Sequence, residues 1–375
     1  MTVIDREMRD TTGLRKGAVA LLGMGTAVPE GISQKEAAAI SEGFACGTDG
    51  QRAWLQRVFL RSGVENRGSV LLSEEDGIRT FYQNREIIGE SGPTTAARME
   101  RYAREAPILG EKAARAAMEE AHMEAASITH LVTVSCTGFS APGLDVELIN
   151  RLGLPANVRR MHLGFMGCHA GFNALGAAQD AVRANPQAKV LVCSVELSSL
   201  HFSYGWRPEK LVANALFADG ASACVVGSSS EDGSGCELLE TASLLLPNSL
   251  DAMTWKIGNN GFEMTLSAEL PALIGTHIRS WCEGWLGKLG LTIDDIDLWA
   301  IHPGGPRILN AAREALGLRE EDLRVSFDVL ARHGNMSSAT VLFLLQKLAR
   351  EKKSGLCVAI GFGPGLMAEG MLVAM

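Results

Sequence analysis

Three widely separated residues could together carry out nucleophilic acyl transfer. They are Cys168 in the segment FMGCHAGFNALG, His302 in AIHPGGP and Asn335 in RHGNMSS, each in a glycine-containing turn beside an apolar stretch. A thiol can attack a carbonyl carbon, an imidazole can accept the thiol proton, and an amide N–H can stabilise a developing oxyanion. None of the three is a carboxylate, which favours stabilising an enolate over activating water.

Each of the three residues also has a purely structural explanation. The cysteine could be a core residue, the histidine a satisfied structural imidazole, and the asparagine the N-cap of a helix. The order Cys, His, Asn also occurs in papain-like proteases, where the cysteine follows CG[SA]C-type residues near the mature N-terminus. This chain lacks such a segment.

The turns around the three residues predict how their side chains are presented. We expect Cys168 at the start of a helix, where backbone N–H groups and the helix macrodipole would lower the pKa of the thiol. We expect Asn335 at the start of a second helix. His302 should leave the end of a strand towards open space, because the sequence PGG follows it.

The elements that would position these residues occur twice along the chain. A buried strand, a helix, another apolar strand and a Gly-rich turn with a strand follow one another in both halves. Leu131 in the first strand precedes Cys168 by 37 residues (168 − 131), and Leu298 precedes Asn335 by the same 37 residues (335 − 298). This repetition predicts duplicated β-α-β units and an α/β sandwich with a sheet in each half.

Hydrophobic periodicity assigns the individual elements. We divide the chain into an N-terminal arm (1–17), an N-terminal half that carries the nucleophile (18–230) and a C-terminal half that carries the histidine and the asparagine (231–375). Residues 66–106 are charged and are expected to cross the surface. The predicted strands are 18–25, 128–136, 189–196, 221–228, 296–302 and 355–363, and the predicted helices are 34–45, 49–61, 111–125 and 335–353.

Bulk composition limits the classes of function. A hydrophobic content of 46% with 21% charged residues is typical of a soluble globular protein, and the net charge of -8 argues against a nucleic-acid groove as the main function. The eight cysteines form no CxxC pair, the charged N-terminus predicts no signal peptide, and no apolar run has membrane-spanning length. These features predict a reducing, cytoplasmic location, in which a catalytic thiol stays usable.

The segments around these residues resemble those of the type III polyketide synthases, the chalcone-synthase-like branch of the thiolase-fold condensing enzymes. The matching segments are GC at Cys168, ALFADGAS at 215–222, IHPGGPRIL at 301–309, GNMSSATVLF at 334–343 and GFGPG at 361–365. The resemblance spans roughly residues 18–375. It implies a thiolase-like duplicated fold, layered α-β-α-β-α, with two pseudo-symmetric sheet-containing halves.

The resemblance also implies a reaction. Cys168 would take an acyl starter from coenzyme A, and His302 with Asn335 would polarise the malonyl thioester carbonyl. Loss of carbon dioxide would leave an enolate that attacks the Cys168 thioester, and repetition with cyclisation would give a pyrone, resorcinol or phloroglucinol ring. The family implies a homodimer that uses coenzyme A thioesters and needs no carrier protein, no metal and no bound cofactor.

Further site residues are carried over from the family. Phe217 matches the gatekeeper aromatic between the CoA tunnel and the cavity, and Met264 stands at the second gatekeeper position. Arg57 and Arg61 match two basic residues at the tunnel mouth, while a third such position is Trp54. The remaining positions that the resemblance assigns are, for the cavity, Cys136, Thr137, Ala141, His201, Ser337, Gly361, Phe362, Gly363, Pro364 and Gly365, and, for CoA, Gly304 and Gly305.

Alternative functions remain open on the sequence alone. A ketoacyl synthase that uses acyl carrier protein would differ in needing the carrier, whereas a silent scaffold would lack turnover and a thioester hydrolase would need a general-base carboxylate. Within the family, Ala141 stands where a methionine usually crosses the dimer interface. Together with Met264, this smaller residue leaves room for a long aliphatic starter.

Overall fold

The computed structural model describes residues 18–73, 77–83, 92–229 and 236–375, and the predicted arm lies outside these ranges. The elements of the first half are β1 (Val19–Ala27), β2 (Gly31–Ser33), α1 (Gln34–Ala45), α2 (Asp49–Leu60), β3 (Asn66–Gly68), α3 (Gly77–Phe81), α4 (Thr95–Glu120), β4 (His130–Ser135), α5 (Leu144–Leu152), β5 (Arg159–Gly164), α6 (Ala170–Ala184), β6 (Val190–Leu197), α7 (Pro208–Leu216) and β7 (Asp219–Ser228). Those of the second half are β8 (Cys236–Leu245), β9 (Met253–Gly258), β10 (Gly261–Leu266), α8 (Leu270–Gly287), β11 (Leu298–Ile301), α9 (Pro306–Leu316), α10 (Arg324–His333), α11 (Thr340–Arg350), β12 (Leu356–Gly363) and β13 (Met367–Ala374).

The main strands form one mixed sheet rather than two separate ones. Within the described residues its nine strands have the order β11-β12-β13-β8-β1-β7-β6-β4-β5. Each half supplies a contiguous set of strands, and the two sets join where Val19–Leu21 of β1 pairs with Cys236–Leu238 of β8. The sheet expected in each half is therefore present as half of a continuous hydrogen-bonded ladder.

The alternating direction of the side chains along each strand explains the layers of helices and sheet. Neighbouring residues of a strand point to opposite faces, so each half-sheet packs against helices on both sides. In β7, Val225 packs in the cluster around α4, whereas Val226 packs in the cluster that contains α6 and α11. In β12, Ala359 joins that same central cluster, whereas Ile360 packs with α8 and α9. Helices α6 and α11 therefore form the middle layer of an α-β-α-β-α arrangement.

Two parts of the chain differ from the elements predicted for them. Residues 66–106 were expected to cross the surface, but α4 begins within this range, and the side chains of Arg67, Arg98 and Arg101 are buried. Carbonyl oxygens make this possible; Arg98 Nη1, for example, donates to Leu200 O at 2.5 Å. The helix expected at 335–353 begins only at Thr340, after a 3-10 turn at Ser337–Ala339.

Membrane-spanning elements are not found among the described residues: none of their helices combines the length and apolar character needed to cross a bilayer.

Candidate active site

A cavity of about 640 Å³ lies between α7, the β9–β10 hairpin and the segment that precedes α6. Its wall includes apolar, aromatic and hydroxyl-bearing side chains, and the thiol of Cys168 is part of it. The residues predicted from the sequence that line it are Cys136, Thr137, Cys168, His201, Phe217, Met264, Ser337 and Pro364. The cavity therefore opens onto the thiol that the sequence marks as a nucleophile.

Cys168 is held in a tight turn before α6. Gly167 has a φ of 102°, which favours glycine, and its carbonyl accepts a hydrogen bond from Ala170 N at 3.0 Å. A Cβ atom on Gly167 would lie 2.3 Å from Cδ of Pro364, so a larger residue would displace one of the two segments. The cysteine side chain is only 5% exposed. Its turn is thus fixed by close backbone packing.

The GFGPG segment supports this turn and contributes little to the cavity wall. A Cβ on Gly363 would lie 2.2 Å from the ring of His169, and one on Gly361 would lie 2.5 Å from the ring of Phe172. Both rings belong to the start of α6, so the glycines admit close packing of that helix on β12. The expected wall residues Gly361, Phe362, Gly363 and Gly365 do not line the cavity. Phe362 packs instead in the cluster around α8, because it points to the opposite face of the strand.

His302 and Asn335 are both buried, each 2% exposed. His302 follows β11, and its backbone N–H donates to Ile360 O at 2.7 Å. Neither of its ring nitrogens has a hydrogen-bond partner among the described residues. The Oδ1 atom of Asn335 accepts from Ser337 N at 2.8 Å, which leaves the amide nitrogen as the donor for a ligand.

The Asn335 side chain lies close enough to both Cys168 and His302 to shift their pKa values. The three residues therefore converge, although neither His302 nor Asn335 lines the cavity. Asn335 precedes α11 by five residues (340 − 335), so the expected position at the start of that helix is wrong, and so is the alternative role as its N-cap. Its backbone pairs with Phe217 instead.

Loss of solvent has the largest influence on the thiol and the imidazole. Burial raises the pKa of Cys168 to about 12, although Ser337 and Asn335 act in the opposite direction. Burial lowers the pKa of His302 to about 3, and His169 lowers it further. The position before α6 therefore does not lower the thiol pKa, contrary to the sequence-based expectation, because the cost of burying a charge is larger. Burial therefore favours the neutral form of both groups, and formation of a thiolate needs a nearby proton acceptor, for which His302 is the candidate.

Thiol alkylation at different pH values tests this coupling. At neutral pH, we expect iodoacetamide to modify Cys168 faster in the wild type than in His302→Gln, because only the wild type has an imidazole to accept the proton. In the variant, the rate should keep rising with pH, since burial raises the pKa of the thiol and no imidazole remains to take its proton. Peptide mass spectrometry separates Cys168 from the other cysteines. Identical pH profiles in both proteins would contradict the coupling.

A buried carboxylate beside the cavity was missed by the sequence analysis. Glu196 ends β6, is fully buried, and its pKa is raised by desolvation. It accepts hydrogen bonds from Thr137 Oγ1 at 2.7 Å, from Cys136 N at 3.1 Å, from Cys136 Sγ at 3.0 Å and from Ser338 Oγ. The sequence feature that could have indicated this buried carboxylate is the glutamate at the end of the apolar run KVLVCSVE. Glu196 is thus a carboxylate next to the site, although none of the three predicted residues is one and Glu196 does not itself line the cavity.

Aromatic side chains narrow one side of the cavity. Trp255 of β9 donates from Nε1 to Cys136 O at 2.7 Å, and the ring of His201 stacks on Phe262 at a centroid distance of 4.2 Å. His201 is a satisfied buried imidazole, because Nε2 pairs with Thr137 O at 2.6 Å and Nδ1 accepts from Phe262 N at 2.9 Å. Burial lowers its pKa to about 3. His201 is thus a neutral wall residue rather than an acid or base.

The residues predicted to bind CoA do not line the cavity. Arg57 and Arg61 are exposed on and just after α2, and Gly304 and Gly305 precede α9. The cations that do line it are Arg207 and Lys210, which pair with Glu263. Ala141 is exposed at the surface and is not a wall residue of this single chain.

Comparisons with known proteins identify the family. The chain matches the family described as chalcone and stilbene synthases in both domains, the N-terminal domain over residues 6–230 and the C-terminal domain over residues 237–375. An alpha-pyrone synthesis polyketide synthase-like protein of Mycobacterium tuberculosis is 34% identical over 364 residues, which cover 93% of this chain and 89% of that protein. A tetrahydroxynaphthalene synthase of Streptomyces peucetius is 35% identical over 328 residues, which cover 86% of this chain and 84% of that protein.

Solved structures give the same result. PKS-I from the brown alga Ectocarpus siliculosus superposes with a TM-score of 0.89 at 31% sequence identity, covering 96% of this chain and 99% of that chain. The superposition thus covers nearly the whole chain, which agrees with the thiolase-like fold. The chain therefore belongs to the chalcone and stilbene synthase family, the type III polyketide synthases, and is an acyltransferase that catalyses decarboxylative condensation.

Proposed function

We propose that this enzyme loads an acyl group from coenzyme A onto Cys168 and extends it with malonyl-CoA. The observation that carries the proposal is the position of the Asn335 side chain, which influences both the thiol and the imidazole beside a cavity that opens onto Cys168. A thiol, a proton acceptor and an amide donor at one point are the groups that such a reaction needs.

Loading is the first step. Sγ of Cys168 attacks the thioester carbonyl while its proton passes to His302, and the bond to the CoA sulfur breaks. The CoA thiolate takes the proton back from the imidazolium and leaves. The unprotonated ring of His302 has a nitrogen that can take this proton, although burial lowers the pKa of the ring and so weakens it as a base.

Condensation is the second step. The bond between the malonyl carboxylate and the α-carbon breaks, carbon dioxide leaves, and the electron pair forms a thioester enolate. The N–H groups of His302 and Asn335 donate to the enolate oxygen. The α-carbon then attacks the acyl carbonyl on Cys168, a carbon–carbon bond forms, and the sulfur leaves as thiolate. Repetition and cyclisation give a ring of the pyrone, resorcinol or phloroglucinol type, with no metal, carrier protein or bound cofactor in any step.

The hydrogen bonds of Glu196 argue against thioester hydrolysis as the main reaction. A hydrolase would use this carboxylate to activate water, but its oxygens accept hydrogen bonds from Cys136, Thr137 and Ser338. Because these bonds occupy its oxygens and Glu196 does not line the cavity, it is not placed to activate a water molecule there. It supports the shape of the cavity instead.

Exposed apolar side chains near one end of the sheet support a homodimer. Phe139 and Met161 are each 50% exposed and Met166 is 37% exposed, and all lie near β5, the last strand at one end of the sheet. Ala141 is exposed in the same region. A sedimentation measurement that gives one chain's mass would contradict this dimer.

We also propose a cytoplasmic location, which is consistent with eight free thiols.

Product analysis tests the substrates. We expect malonyl-CoA and an acyl-CoA to give ring products without carrier protein, and a long-chain starter to outcompete an aromatic one, because Met264 leaves more room at the cavity than a phenylalanine. Mass spectrometry of products from mixed starters measures the preference. A requirement for acyl carrier protein would contradict the proposed reaction, and preference for the aromatic starter would contradict the proposed starter.

A further inference from the structure

The C-terminal end of α7 connects two parts of the site. It presents Phe217 to the cavity, and Phe217 N donates to Ala213 O at 3.0 Å. The backbone N–H of Asn335 donates to Leu216 O at 2.9 Å, and its carbonyl accepts from Ala218 N at 2.9 Å. The proposed oxyanion donor is thus hydrogen-bonded through its backbone on both sides to the end of one helix.

Two buried side chains bind the other carbonyls at this helix end. The last carbonyls of a helix have no partner within the helix. Arg67 Nη1 donates to Asn214 O at 2.5 Å and to Phe217 O at 2.8 Å, and Gln34 Nε2 donates to Ala215 O at 2.7 Å. A cation is also favoured here by the negative end of the helix macrodipole. Arg67 therefore binds carbonyls of two residues that line the cavity, whereas Gln34 binds Ala215, which does not line it, and also donates to Ser62 Oγ at 2.8 Å.

Arg67 is held rigidly in place. It is 4% exposed, and its guanidinium carbon lies 5.2 Å from the ring centroids of both Phe59 and Phe202. Burial lowers its pKa to about 10, with Asp219 acting in the opposite direction, so it remains a cation at neutral pH. Its Nη2 atom has no hydrogen-bond partner among the described residues. Burying a cation costs desolvation free energy, and the hydrogen bonds that offset this cost are made with the carbonyls at the end of α7.

We propose that Arg67 is a positioning residue for the condensation step: by fixing the end of α7 from behind, it holds Phe217 at the cavity and the backbone of Asn335 beside Cys168. This inference rests on the proposed function. It assigns a step-specific role, because Asn335 acts on the enolate, whereas loading depends on Cys168 and His302, which lie on segments that Arg67 does not contact. Loss of Arg67 should therefore affect decarboxylation more than loading.

The positioning role of Arg67 is tested by measuring two rates in the same enzyme preparation. Single-turnover acylation by an acyl-CoA, followed by intact mass, reports loading, and release of carbon dioxide from malonyl-CoA reports decarboxylation. We expect Arg67→Met to lower decarboxylation about 100-fold, the effect of a small misplacement of a reacting group, with loading nearly unchanged. Arg67→Lys keeps the charge but not the planar donor fork, and should recover part of the loss.

Gln34→Met is the matched control, because it removes a cap from the same helix end without touching Phe217 or Asn335. It should lower the thermal midpoint while leaving the ratio of the two rates at the wild-type value. If the Arg67 variants keep the wild-type ratio of the decarboxylation rate to the loading rate, whether or not both rates fall, the positioning role is wrong. Should Arg67→Met fail to fold, the ratio in Arg67→Lys decides. A wild type inactive in both assays would instead contradict the proposed function.

Discussion

Replacing Cys168 by alanine is expected to abolish the covalent acyl adduct and to lower product formation by at least about 1000-fold, because no other group takes the place of a lost nucleophile. The variant should fold, since the side chain is small and the turn is fixed by Gly167 and Pro364. Intact-protein mass spectrometry after incubation with an acyl-CoA measures the adduct, and product formation is followed in parallel.

Cys136 provides the matched control for this experiment. It is a second buried thiol in the wall of the same cavity, and it donates to Glu196 Oε1 at 3.0 Å. Desolvation and the nearby carboxylate both raise its pKa. We expect Cys136→Ala to keep the adduct, because that thiol stays protonated. An adduct that persists in Cys168→Ala and disappears in Cys136→Ala would reassign the nucleophile.

Replacing Asn335 by alanine should lower malonyl-CoA decarboxylation by about 100- to 1000-fold, the effect of removing one donor from an oxyanion site. Loading should fall much less, because the amide serves the enolate and the thiol uses His302. The two rates are measured as carbon dioxide release and as single-turnover acylation.

Asn335→Asp separates the two roles of this side chain. The aspartate keeps an oxygen that can accept from Ser337 N, as Oδ1 of Asn335 does at 2.8 Å, but it lacks the N–H donor. We expect it to be as impaired in decarboxylation as the alanine variant. Recovery of decarboxylation in the aspartate variant would show that the local turn, and not the donated hydrogen bond, is what matters.

Patterns that repeat along the chain could be predicted from the sequence. The equal spacing of Leu131 from Cys168 and of Leu298 from Asn335 reflects the equivalence of β4 with β11 and of the segments before α6 and α11. Apolar runs located β1, β4, β6, β7, β11 and β12, and helical periodicity located α1, α2 and parts of α4 and α11, whereas strand β8 and helices α5 and α7 to α10 were not predicted. The convergence of Cys168, His302 and Asn335 follows from that duplication, since both central helices meet in the middle layer.

Features that depend on long-range contacts could not be predicted. Arg67 and Glu196 look like surface charges in the sequence, yet carbonyls and hydroxyls from distant segments make them buried. The GFGPG segment was expected to face the substrate, but strand alternation turns Phe362 into the core and Gly363 onto His169. The pKa of Cys168 was expected to fall because the sequence shows its place before a helix but not how deeply it is buried.

The most direct test of Cys168 as the residue that carries the growing acyl chain is time-resolved peptide mapping of the wild-type acyl-enzyme. After an acyl-CoA is added, we expect the acyl mass on the peptide that contains Cys168 and on no other cysteine peptide. When malonyl-CoA follows, that mass should be converted to longer species and then lost as product is released. An acyl group on another cysteine would contradict the role of Cys168 as the nucleophile. An acyl group on Cys168 that malonyl-CoA leaves unchanged would contradict the proposed condensation.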